Sequence, residues 1–146
     1  MSRTWASDRP RSAGLVAIIG FFVFGSGMSL LAALALSQPG GALEPMWRLN
    51  PEAHTAFQVM GPWSIALMIA VCVACTASAI GLWDRKLWGY RVAGGVLTIN
   101  LLGDMLNTLL RHDPRTLVGV PIGFGLLWYL RQLRLVGQFG EQLPRP

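Results

Sequence analysis

The chain has 146 residues, about one domain's worth, with 53% of them hydrophobic and 13% charged. A soluble domain covers its surface with about 25% charged residues, and a disordered segment combines low hydrophobicity with high net charge, so both classes are excluded. The net charge of +5 does not indicate nucleic acid, because the twelve Lys and Arg residues stand in small groups beside apolar runs, and no nucleic-acid module is present.

A bilayer crossing needs about 20 residues of helix. Four stretches qualify: Leu15 to Leu36, Pro62 to Trp83, Arg91 to Leu110 and Pro114 to Leu133. They predict an all-α membrane protein, an up-down four-helix transmembrane bundle forming a single integral domain over residues 1–146. The first stretch also has features of a cleavable signal peptide, with Arg3, Arg9 and Arg11 ahead of it and Ala33-Leu34-Ala35 resembling a cleavage site. Its apolar core exceeds the usual signal length of about 7 to 15 residues, which favours a retained anchor.

Positive residues accumulate on the cytoplasmic side. One side would carry Arg3, Arg9, Arg11, Arg85, Lys86, Arg91, Arg131, Arg134 and Arg145, against Arg48, Arg111 and Arg115 on the other. Both termini are therefore expected in the cytoplasm. Trp83, Trp88, Tyr90, Trp128 and Tyr129 would anchor the inner interface, and Trp47 and Trp63 the outer one.

The connections differ in kind. Trp83 to Tyr90 allows only a tight inner hairpin, with Gly81 and Gly89 as candidate helix stops. Asp113-Pro114 supplies a cap oxygen and a first-turn proline for the fourth helix. Residues 37–61 exceed the length usually left without structure in a compact domain, the alternative being a loop that merely spans two helices. Asn50-Pro51-Glu52 reads as cap, proline and first-turn acid, and Gly61 as a stop, predicting a short interfacial helix over residues 51–60, with Met46, Trp47, Leu49, Phe57 and Met60 giving it and its approach an apolar side.

The third span is the most informative. Asn100, Asp104 and Asn107 recur at intervals of four and three, within an arc of about 60° at 100° per residue, and Arg111 continues their line. A carboxylate facing lipid costs about 2.5 to 3.5 kcal/mol on insertion scales, so this face should point into the bundle or a wet cavity. Asp104 lacks an assured counter-charge at its depth, and desolvation there favours a neutral carboxyl, a candidate proton carrier. In the fourth span Pro121 cannot donate to the Leu117 carbonyl, while Gly119, Gly123 and Gly125 permit a kink and close approach. The freed carbonyl could face Asn107 or Asp104 and form a small polar site for a cation, a hydroxylated ligand or a proton. The competing explanation is interhelical hydrogen bonding, worth about 0.6 to 2 kcal/mol per contact.

Cys72 and Cys75 form C-x-x-C within an apolar span. Quinone-linked thiol oxidoreductases of the membrane also combine four helices with such a pair, but no second pair stands in the outer loop here, and a buried thiol resists forming the reactive thiolate. Packing is the expected role, beside a row of small residues at Ala70, Ala74 and Ser78. His54 and His112 fall on the outer side with Glu44, Glu52 and Asp113, in no recognised metal-ligand spacing, so surface histidines and capping acids are expected and no metal site.

The segment from Gly81 to Arg91, GLWDRKLWGYR, resembles the hairpin of small four-span bacterial inner-membrane proteins of unassigned function. The resemblance covers about eleven residues; it implies a bacterial inner-membrane location and transfers no catalytic residue. With no catalytic set assembled, the chain is expected to be a non-enzymatic accessory or interaction subunit without cofactors. Its expected partners are the lipid bilayer and either another membrane protein or a second copy of itself. The alternatives are a small-solute or proton-handling protein using Asn100, Asp104, Asn107 and Arg111, and a lipid- or quinone-linked enzyme.

Overall fold

A computed structural model describes residues 12–111 and 119–135, with the backbone alone at 107, 108, 110 and 111. These residues are helical throughout apart from short turns: α1 (Ala13–Ser37), a 3-10 helix (Glu44–Leu49), α2 (Pro51–Met60), α3 (Pro62–Trp83), α4 (Leu87–Arg111) and α5 (Gly119–Leu135). Two of them, α1 and α3, are long and apolar enough to cross a membrane.

Local chemistry sets the helix ends. The Ser12 hydroxyl accepts from the Leu15 N–H at the start of α1, and α1 gives way to a turn ahead of Pro39 and the positive-φ Gly40. At α2 the Asn50 side chain accepts from the Ala53 N–H at 3.1 Å, and Pro51 occupies a first-turn position where no donor is needed. Gly61, at φ 58° and ψ −137°, receives the chain from α2 and turns it into α3. Only glycine enters that region cheaply.

Gly81 and Gly89 do not stop helices. Both lie inside them, and α4 starts at Leu87, earlier than the expected Arg91. The reversal falls instead on Arg85, a non-glycine residue at φ 54°. The Lys86 N–H reaches back to the Gly81 carbonyl and the Arg85 N–H to that of Leu82. That pair of bonds is a Schellman closure, which satisfies the last carbonyls of α3 without a glycine at the turn. The glycines serve packing: a Cβ on Gly89 would overlap the backbone of Gly81, so α3 and α4 meet backbone to backbone.

Helix α1 packs on α3, α3 on α4, and α4 on α5, which returns to touch α1. The contact of α5 with α1 again requires a glycine, since a Cβ on Gly14 would collide with the Tyr129 ring. One core takes side chains from all four long helices: Leu15, Ile18 and Phe22 with Leu82, Leu97 and Leu130 are fully buried within it. It lies at the hairpin end, where residues 84–86 join α3 to α4. At the opposite end a second cluster forms, to which no described residue of α4 or α5 contributes. Ala32 and Ala35 of α1 pack there against Trp47, with Met46, Phe57 and Met68 around them. Residues 38–61 are thus folded back over the ends of α1 and α3.

Trp47 was expected to anchor an interface with its N–H in water. It is buried, because the 3-10 helix turns its ring inward against α1 and His54 stacks on it. Trp63, by contrast, is 78% exposed. Large apolar side chains, among them Phe24, Val73 and Ile99, also face outward along the long helices.

Candidate functional site

Three polar groupings interrupt this apolar framework. The first is on α4. Asp104 continues the stripe that buries Ala93 and Leu97, lying within about 40° of both at 100° per residue. It is half-buried. Its carboxylate lies against Gly119 of α5, where an added Cβ would come within 2.6 Å of Oδ2, and one turn along α5 Gly123 faces Leu101. Small residues of α5 thus let α4 approach closely and give the carboxyl a place between two helices. Pro121 lies within the continuous helix α5.

The other predicted members of the site separate. Asn100 is exposed, and its side chain makes no hydrogen bond to the described residues. Asn107 and Arg111 belong to α4 by backbone, but their side chains lie outside the described set. So do His112, Asp113, Pro114 and Leu117, and with them the expected cap of the fourth helix and the freed carbonyl opposite Asp104.

Asn100 occupies a face with its own history. Eleven residues are about three helical turns, so position 100 looks the same way as Gly89 and position 70 the same way as Gly81. Gly81 and Gly89 touch, yet Ala70 and Asn100 are both exposed. A Cβ on Gly103, close to the same face, would meet nothing within 4 Å. The faces of α3 and α4 that meet at the hairpin end are therefore uncovered about 16 Å further along.

The second grouping ties α1 to α3. Ser26 Oγ lies 2.8 Å from Thr76 Oγ1 and 3.4 Å from both the carbonyl oxygen and Sγ of Cys72. Thr76 also donates to the Cys72 carbonyl at 2.8 Å. A Cβ on Gly25 would sit 3.5 Å from Cys75 Sγ, in ordinary contact. Both cysteines are free thiols, and each is held in an interhelical contact.

The third grouping lies in the layer of residues 38–61. The His54 ring stacks on Trp47 with centroids 4.9 Å apart and planes 6° from parallel, and Phe57 meets Trp47 edge-on at 5.8 Å. His54 Nε2 is 3.8 Å from Glu44 Oε1 and 3.1 Å from Gln58 Nε2. Glu44 Oε2 accepts from the Gly40 N–H at 3.2 Å, which fixes the carboxylate from its other side. Trp47 Nε1 is buried and has no acceptor among the described residues. Two cavities flank the Glu44–His54 pair and share it as a wall: one of about 490 Å³ bordered by Trp47 and Arg48, and one of about 300 Å³ reaching Leu36 and Ser64.

Sequence reasoning assigned His54 to the surface and missed this grouping. The spacing of His54 and Gln58, one turn apart on α2, was a legible signal. The return of Glu44 onto the same ring depends on the 3-10 helix, which no periodicity announced. Among the described residues no three His, Cys, Asp or Glu side chains converge as metal ligands. No protein-family model, curated protein or solved structure matches the chain.

Proposed function

We propose that this chain is a non-enzymatic integral membrane protein, crossing the bacterial inner membrane four times with both termini in the cytoplasm, and that it serves as an accessory subunit to another membrane protein. Its membrane solvent is supported by burial. Only 22% and 28% of the most apolar windows of α1 and α3 are covered by protein, whereas the core helix of a soluble domain is mostly buried. Helices α4 and α5 overlap the third and fourth predicted spans and share the core with α1 and α3. The GLWDRKLWGYR hairpin supports kinship with small four-span bacterial proteins.

The observation that carries the subunit reading is the uncovered α3–α4 face. Asn100 is an amide with no hydrogen bond to the described residues, on a helix that would lie in hydrocarbon. Interhelical hydrogen bonds of such amides contribute about 0.6 to 2 kcal/mol, and Gly103 and Ala70 beside it would let another backbone approach. A helix of a partner protein fits this face. The test is photocrosslinking from position 103 in cells, followed by gentle-detergent purification and mass spectrometry. A single heterologous membrane protein, lost on Asn100→Leu, is the expected capture. Capture of lipid alone, or of a second copy of this chain, would overturn the accessory role.

A second reading draws on Asp104, whose carboxyl sits at the α4–α5 contact beside Gly119. A membrane acid held between two helices is suited to carrying a proton. In liposomes that role requires pH-driven flux that Asp104→Asn abolishes while the fold persists. Absence of flux in the parent protein rejects it.

A further inference from the structure

The layer of residues 38–61 holds a combination of groups that helix packing does not require. Glu44 is oriented by the Gly40 N–H and by His54, yet its side chain remains 40% accessible, so the carboxylate keeps an open side. Arg48, on the same cavity of about 490 Å³, is exposed and pairs with no acid among the described residues. Trp47 borders that cavity too, although its indole N–H is sealed from solvent. A carboxylate and a guanidinium, each with an open side, therefore border one cavity, with the stacked Trp47–His54 pair as its firm wall.

We propose that this cavity binds a zwitterionic phosphate ester bearing an ammonium group, with the ammonium at Glu44 and the phosphate at Arg48. Arginine suits a phosphate because its planar donors match the oxygens, and a carboxylate beside it would repel a ligand carrying phosphate alone. A phospholipid of the ethanolamine type supplies this chemistry. Val59, in the same layer and 85% exposed, suits its acyl region. Assignment to a lipid rests on the four-span topology proposed above, whereas the headgroup chemistry does not.

The experiment is native mass spectrometry of the full chain in detergent with equimolar phosphatidylethanolamine and phosphatidylglycerol, with soluble phosphoethanolamine as competitor. The wild type should retain the ethanolamine lipid about tenfold over the glycerol lipid. Glu44→Gln should abolish that preference, weakening the ethanolamine lipid and strengthening retention of the glycerol lipid. Arg48→Gln should weaken both lipids several-fold with an unchanged unfolding temperature. Full displacement by millimolar phosphoethanolamine would assign the same chemistry to a soluble ligand. Equal retention of both lipids by the wild type, or an unaltered preference in Glu44→Gln, would overturn the proposal. Thiol labelling at position 49 reports the topology separately, so failure of binding and failure of the membrane assignment remain distinguishable.

Discussion

The two ends of the molecule solve the same packing problem in opposite ways. At the hairpin end four helices converge on one core, and glycines stand at its close contacts: Gly14 under the Tyr129 ring, and Gly81 backbone to backbone against Gly89. At the far end, among the described residues, α1 and α3 are covered by a folded connection, and the Glu44–His54–Gln58 grouping lies there. The hairpin end is thus where substitution should damage the fold, and the far end is where it should change what the protein touches. Stability and interaction are assigned to different ends of the same helices.

The sharpest way to break that contrast is Gly89→Val. Its side chain would enter the Gly81 backbone, which cannot give way as a flexible side chain can, so a loss of 3 kcal/mol or roughly that order is expected. The check is the thermal unfolding midpoint in detergent, where Gly103→Ala, made into open space, should be unchanged. An intermediate effect belongs to Leu82→Ala. Leu82 is fully buried, and truncation there should cost about 2 kcal/mol, the low end of the core range because lipid rather than water is the competing solvent. The matching Leu49→Ala, at a side chain in the open, should leave the midpoint unmoved. Smallest is Ser26→Ala, which removes the hydroxyl linking α1 to Thr76 and Cys72. It should cost about 0.6 kcal/mol, measurable only by equilibrium unfolding in mixed micelles.

What could be read from the residues alone follows the same division. Long apolar runs write the long helices plainly, and Asn50-Pro51 with Gly61 marks the ends of α2 because capping is local chemistry. Gly81 and Gly89 were misread as stops, since a glycine that ends a helix and one that admits a neighbouring backbone look alike until the neighbour is known. Arg85 shows the converse, a left-handed turn position with no glycine to announce it. At the candidate site the period of α4 correctly aligned Asn100 with Asp104, but it could not say that α5 would meet one and leave the other uncovered. The Glu44–His54–Trp47 grouping was illegible for a related reason, because it joins a 3-10 turn to a helix through a reversal that no periodic pattern encodes.

The central claim is that the polar layer of residues 38–61 and the basic hairpin of residues 84–86 face opposite aqueous phases, with α4 returning the chain across the membrane. It is tested most directly by labelling single thiols in spheroplasts with a membrane-impermeant maleimide, in a background carrying Cys72→Ser and Cys75→Ala. Leu49→Cys and Arg111→Cys should react from outside, and Lys86→Cys only after permeabilisation. Reaction of Lys86→Cys from the same side as Leu49→Cys would contradict the account, and so would protection of Arg111→Cys together with Lys86→Cys.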